Sequence, residues 1–152
     1  MGVQIDRVGI ARMSYVISHV PITLVDYLWD DISSLLTHVL EYSNDEFNLE
    51  SLKKNILNGD CLLCVIINEK RIIAAAILSV KNFDSGLGAL NINILSGSNI
   101  DKWGVQFLEY CKSVAVQMNC TELRAVGARS GWIRLLKPFG WTEASINLKM
   151  AV

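Results

Sequence analysis

Between Leu24 and Tyr42 the apolar residues Leu24, Leu28, Ile32, Leu35, Leu36, Val39 and Leu40 recur at helical spacing, with Trp29 beside them. Asp26, Asp30, Asp31 and Ser34 fall on the other side of the wheel, so the pattern predicts an amphipathic helix. Pro21 breaks the chain before it. Thr23, followed three residues later by Asp26, is expected as the N-cap in a weaker form of the capping box. After the polar stretch SNDEFN, Asn48 is placed to cap a second helix carrying Leu49, Leu52, Ile56 and Leu57, which Asn58-Gly59 ends.

From Cys61 onward the pattern changes. The apolar runs CLLCVII and IIAAAILSV, separated by Asn68-Glu69-Lys70-Arg71, predict a hairpin of two buried strands. A looser turn, Asn82 to Gly88, leads to a third strand, ALNINIL, which Ser96-Gly97-Ser98-Asn99 ends. A long helix is expected from Ile100 to Met118, burying Trp103, Phe107, Tyr110, Cys111, Val114 and Met118. Cys120 to Val126 reads as a strand, Ser130 to Phe139 as a short helix, and Trp141 to Met150 as a last strand. Residues 3–20 alternate irregularly and read as one first strand or an extended arm. With no repeat, low-complexity stretch or linker, residues 1–152 are expected to form a single domain. An antiparallel meander passing into strand-helix-strand predicts an α/β (α+β) fold, a mixed, mostly antiparallel sheet flanked by helices.

Composition narrows the function classes. The chain is 51% apolar and 19% charged, so a full core is expected and disorder is not. No apolar run reaches the ~18 residues a membrane helix needs, and Asp6, Arg7 and Arg12 interrupt any secretory apolar region. Asp6 also stands where a myristoylation signal wants Ser or Thr. A cytoplasmic protein with no membrane partner is the expectation. A net charge of −1, with no basic stretch interleaved with aromatics, argues against nucleic acid as a partner. The charge is uneven, however. Residues 1–60 carry nine acids and four bases, and residues 120–152 carry two acids and five bases, a basic end able to hold an anion. Cys61 and Cys64 match C-x-x-C, but residues three apart on a strand face opposite ways, so the pair is not expected to share a metal or a disulfide. Free thiols and no bound metal are the expectation for all four cysteines.

The segment CTELRAVGARSGWIRLLKPFGW carries a specific resemblance, extended by NINILSGSNIDKW and NLESLKKNILNGDCLLCVI. Over residues 22–150 the chain resembles small GNAT-like proteins encoded by bacteriophages, which share a G-R-x-G-W-x-R-x-L-K-x-x-G-aromatic segment. Arg129, Gly131, Trp132, Arg134, Leu136, Lys137, Gly140 and Trp141 fit that pattern, with Ala128 as an extra residue between Gly127 and Arg129.

The resemblance implies a GNAT fold with acetyl-CoA or another acyl-CoA held between ALNINIL and CTELRAV. A small-molecule or protein amine would be the acceptor. The family's pyrophosphate loop, Arg or Gln, then Gly, then Gly or Ala, falls on Asn99, Lys102 and Gly104, of which only Gly104 matches. Leu95, Ser96, Gly97, Ser98 and Asn99 would border the cofactor, Lys102 would reach a phosphate, and Arg129 and Arg134 would meet the adenosine phosphate.

The plain structural alternative makes Ser98 or Asn99 a helix cap, the two arginines solvating charge, and Trp132 and Trp141 core anchors. The family's general acid position is occupied by Leu136, and the strand that often supplies a base offers only Asn91 and Asn93. Tyr110 and Glu122 are the remaining proton-transfer candidates. These losses define the alternative function: a GNAT-like fold without catalysis, serving as a phage structural or host-interaction protein in the host cytoplasm or the virion. An exposed apolar patch around Tyr27, Trp29 and Phe47 would support it.

Overall fold

The computed structural model describes residues 3–5, 11–13, 15–40, 46–125 and 130–152. Its first three strands are β1 (Val3–Ile5), β2 (Ala11–Met13) and β3 (Tyr15–His19). The expected single first strand is thus three. β1 and β2 pair antiparallel with each other, and β3 alone joins the main sheet.

Helix α1 (Ile22–Leu40) starts directly after Pro21, so Thr23 lies inside the first turn and does not cap it. Proline fixes its own φ near the helical value, and its carbonyl accepts the Leu24 N–H at 2.9 Å. The buried stripe is Val25, Ile32 and Leu36, while Leu24 is 46% exposed. The sequence stripe is therefore rotated by one position at its start.

Helix α2 (Leu49–Leu57) begins as predicted: Asn48 Oδ1 accepts the Ser51 N–H at 2.8 Å, and Ser51 Oγ accepts the Asn48 N–H at 3.2 Å. Leu52 and Ile56 are buried, whereas Leu57 lies on the open side, 37% exposed. Asn58 and Gly59, at φ +80°, end the helix.

The hairpin β4 (Leu62–Asn68) and β5 (Arg71–Asn82) turns on Glu69 and Lys70, both at positive φ, the backbone of a tight type I′ turn. Next come β6 (Gly88–Gly97), α3 (Ile100–Gln117), β7 (Glu122–Ala125), α4 (Ser130–Leu136) and a 3-10 turn (Lys137–Phe139). The sheet order is β3-β4-β5-β6-β7, antiparallel up to β6, with β6 and β7 parallel.

Each sheet face has its own core. Leu63, Val65, Ala75, Ile77 and Ile94 pack under α1 and α2. Cys64, Ile66, Ala74, Ala76, Leu78, Leu90 and Ile92 pack under α3, against Trp103, Phe107, Leu108 and Cys111, with Leu136 of α4 joining them. Trp103 and Phe107 meet edge to face with ring centroids 6.1 Å apart. Met118, expected in the α3 stripe, is 44% exposed, because it lies past the last turn that faces the sheet.

The predicted last strand is the clearest correction. Residues 141–150 form no strand among the described residues, and 142–152 are exposed. A strand needs a neighbour as well as an alternating pattern, and no described residue pairs with the segment.

Candidate functional site

Strand β6 changes character halfway along. From Ala89 to Ile92 it is bonded on both sides, to β5 and, in parallel, to Glu122 through Ala125 of β7. Beyond Ile92 the β7 side has no partner among the described residues, yet β6 runs on to Gly97 against β5. Residues 126–129, which follow Ala125, lie outside the described residues.

The change coincides with a bulge. Ile77 faces Ile94 and Leu78 faces Ile92, which leaves Asn93 as the extra residue. Its insertion swaps the parity of the strand: Leu90 and Ile92 face α3, whereas Ile94 faces α1 and α2. Asn93 Nδ2 donates to Ser79 Oγ at 2.7 Å, tying the bulge to β5. Asn91 is buried with no hydrogen-bond partner for its Oδ1.

The turn that follows is held tightly. Ser96 is buried and its hydroxyl donates to the Leu35 carbonyl of α1. Gly97 sits at φ +147°, and a Cβ there would come 2.6 Å from both Ala74 Cα and the Ile73 carbonyl oxygen. Only glycine fits this approach. The Ser98 N–H donates to the Ile73 carbonyl at 3.4 Å, and the Ser98 carbonyl accepts the Trp103 indole N–H at 2.7 Å. Asn99 is the N-cap of α3, in the left-handed region at φ 60°, and its side chain caps nothing. Its carbonyl accepts the Lys102 N–H at 2.9 Å. The N–H groups of Ile100 and Asp101 have no acceptor among the described residues, so the positive end of the α3 dipole stands open.

The cofactor candidates divide accordingly. Ser96, Gly97, Ser98 and Asn99 form the turn, Leu95 precedes it with its side chain against the α3-side core, and Lys102 is exposed one turn later. Gly104 is buried instead, where an added Cβ would touch Ile100 and Leu135 at 3.5 and 3.9 Å. Arg134 and Lys137 are both exposed, at the end of α4 and in the 3-10 turn. Arg129 and the side chain of Trp132 lie outside the described residues. Trp141 packs against the α3-side core.

Neither proton-transfer candidate reaches the open edge. The Tyr110 hydroxyl lies 3.6 Å from Cys64 Sγ, under α3 and over β4, two strands away. Burial, with Cys64 beside it, holds that hydroxyl above the usual phenol range. Glu122 opposes Ala89 at the far end of the parallel pairing, roughly 10 Å from the point of release. Its carboxylate accepts from Arg124 Nη2 at 2.8 Å and Nε at 3.2 Å, and the Arg124 guanidinium lies 4.5 Å from the Phe83 ring centre.

Cys61 and Cys64 lie in the cores of opposite sheet faces, as strand parity requires. Burial pushes Cys64 up to about 11 and Cys111 up to about 12. Of the expected patch on α1, Tyr27 is 84% exposed, whereas Trp29 is half-buried with Lys53 Nζ 5.7 Å from its ring centre.

Sequence reasoning missed three features: the bulge at Asn93, the Ser96 tie to α1 and the Trp103 bond to the turn. Only the last had a signal, since a buried indole N–H needs an acceptor nearby.

No family model and no curated protein matches the sequence. Solved structures do match. The chain is similar to a predicted acetyltransferase from Clostridium acetobutylicum solved with acetyl-CoA, at 15% identity, TM-score 0.65, covering 92% of this chain and 96% of that one. It is similar to an aminoglycoside N-acetyltransferase in complex with CoA, at 12% identity and TM-score 0.66, covering 93% and 96%. A GNAT family acetyltransferase from Staphylococcus aureus aligns at 16% identity and TM-score 0.63, over 92% of this chain and all of that one. Among the described residues no helix is long and apolar enough to cross a membrane. The five-stranded sheet, its late parallel pair and the helices on its two faces are the GNAT-like fold.

Proposed function

We propose that this chain, as one domain over residues 1–152, binds acyl-CoA along the released half of β6 and transfers the acyl group to an amine. The observation that carries the reading is the segment from Asn93 to Gly97, which among the described residues pairs with β5 alone and leads into a turn whose Ile100 and Asp101 N–H groups have no acceptor among them. Both halves of an acyl-CoA find chemistry there. An extended arm bearing amides can bond to a strand edge as another strand would, and a pyrophosphate suits the free N–H groups and positive end of α3. Lys102 and Arg134, both exposed, add positive charge at the termini of α3 and α4. Solved structures of this fold with acetyl-CoA or CoA support the same reading. When bound, acyl-CoA supplies an acyl thioester for aminolysis.

The chain's own part is to orient and to polarise. A backbone N–H of the released segment donates to the thioester carbonyl as charge develops on its oxygen. The amine nitrogen bonds to the carbonyl carbon, the C–S bond breaks, and the thiol leaves with the proton that the amine gives up. With Tyr110 and Glu122 engaged elsewhere and Asn93 unable to take a proton, the attacking amine must already be neutral. The rate should therefore rise with pH until the acceptor is deprotonated, with no falling limb near neutrality. Initial rates with acetyl-CoA and a panel of amines test this. A bell-shaped profile centred near pH 7 would mean that an acid-base pair operates.

One observation favours a second reading. The same engagement of Tyr110 and Glu122 suits a GNAT-like protein without chemistry, acting as a phage structural or host-interaction protein in the host cytoplasm or the virion. Acetyl-CoA titrated into the protein in a calorimeter separates the two, because the second reading needs no heat of binding.

A further inference from the structure

On the paired side of the bulge, the sheet face toward α1 and α2 changes from apolar to polar. The core under those helices takes Ile77 of β5 and Ile94 of β6, but no residue of 79–82 or 88–93. The next two rows across the sheet are Ser79-Asn91-Arg124 and Lys81-Ala89-Glu122. Their strand neighbours Leu78, Val80, Leu90, Ile92, Leu123 and Ala125 pack on the α3 side. Alternation therefore turns both rows to the opposite face, where Ala89 is their only apolar residue.

Lys81, Arg124 and Glu122 leave these rows with a net positive charge. Glu122 Oε1 takes one edge of the Arg124 guanidinium, through Nε at 3.2 Å and Nη2 at 2.8 Å. The Phe83 ring supports its flat face, 4.5 Å away. The edge that includes Nη1 has no partner among the described residues, and Lys81 is exposed with no ion pair there. A guanidinium held in this way is a preorganised fork for a second carboxylate. Asn91 lies between that fork and the point where pairing with β7 ends among the described residues. It is 9% exposed, and its Oδ1 has no hydrogen-bond partner. The neighbouring Ser79 Oγ accepts from Asn93 Nδ2 at 2.7 Å and does not serve Asn91. A buried acceptor left unpaired carries its full desolvation cost, which a donor from a bound molecule would offset.

Resting on the acyl-transfer reading above, we infer that the acceptor is an amine that also carries a carboxylate. Its neutral amine donates an N–H to Asn91 Oδ1, which aims the lone pair toward the thioester at the end of the paired half. Its carboxylate takes the open edge of Arg124, and Lys81 adds attraction from the neighbouring row. Asn91 and Arg124 are register partners on adjacent strands, roughly 5 Å apart. A small amino acid or a dipeptide therefore spans both groups.

Steady-state transfer from acetyl-CoA to glycine, β-alanine and glycylglycine, each compared with its own amide, tests the inference. Rates are referred to the neutral amine, and acetyl-CoA binding is followed by calorimetry on the same samples. KM should be about tenfold lower for the acids than for the amides, as one charge-assisted contact implies. That preference should shrink as salt rises. Arg124→Gln should raise KM for the acids until it matches that of the amides, and Lys81→Gln should do so in part. Asn91→Leu should raise KM for acids and amides alike while acetyl-CoA still binds. Equal KM for acids and amides, or a preference that survives Arg124→Gln, overturns the inference and leaves the transfer reading standing. Bound acetyl-CoA with no transfer to any of the six amines overturns the inference as well. Absence of acetyl-CoA binding overturns the transfer reading itself, and this inference with it.

Discussion

The two halves of β6 share a strand, a neighbour in β5 and a similar run of side chains, yet they do different work. Gly88 to Ile92 is bonded on both sides and sends Leu90 and Ile92 into the α3-side core. Asn93 to Gly97 keeps β5 but has no β7 partner among the described residues, and the bulge turns Ile94 toward α1 and α2. The first half satisfies its backbone internally and is structure. The second pairs with β5 alone among the described residues and is the edge proposed for the ligand. One inserted residue, Asn93, separates them. A strand can therefore redirect its side chains through register alone.

Mutation should separate the halves, beginning with the largest effect. Leu90→Ala removes a fully buried side chain from the paired half and should cost ~2–5 kcal/mol in chemical denaturation. The affinity of the remaining folded molecules for acetyl-CoA should not change. Gly97→Ala strikes the released half. It forces a Cβ against Ala74 and Ile73 at φ +147° and should cost ~2–4 kcal/mol of strain and overpacking. Calorimetry should show a loss of acetyl-CoA affinity in the molecules that fold. If Leu90→Ala weakened binding as much as Gly97→Ala, the division between the halves would fail.

A pH dependence is confined to the covered core and at neutral pH has no effect. Cys64 and Cys111 have folded-state values of about 11 and about 12, raised by burial from an ordinary 9.0. The folded state holds these protons more tightly than the unfolded chain does. The stability they contribute is fully present below about pH 9 and falls as pH rises toward the folded values, by up to about 1.4 kcal/mol per pH unit for each thiol. Denaturation curves between pH 8 and 11 should show this decline, and Cys64→Ala should flatten part of it.

Much of the framework was legible in the sequence because its causes are local. Asn48 and Ser51 are three residues apart and form their reciprocal cap. The runs around Glu69-Lys70 fold into the expected hairpin because a two-residue turn fixes the pairing. Misreadings arose where the decisive partner is remote. Leu24 fits a helical wheel but Val25 beside it takes the buried position, and Met118 lies past the last buried turn of α3. Trp141 to Met150 alternates correctly and has no strand neighbour among the described residues.

The site was legible only in part. Ser96 to Asn99 marked a turn of small residues, but its form depends on Ala74 pressing on Gly97 and on Leu35 receiving Ser96. The bulge at Asn93 exists only relative to Ile77 and Leu78, and no pattern within ALNINIL encodes it.

The central claim is that the released half of β6 and the turn after it receive acyl-CoA. The most direct measurement is an amide-resolved NMR titration of the protein with acetyl-CoA. The account predicts shifts concentrated at Asn93 to Gly97 and at Asn99 to Lys102, with Gly88 to Ile92 nearly unmoved. Saturating shifts at the paired half or on the outer face of α1, or no shifts at all, would contradict it.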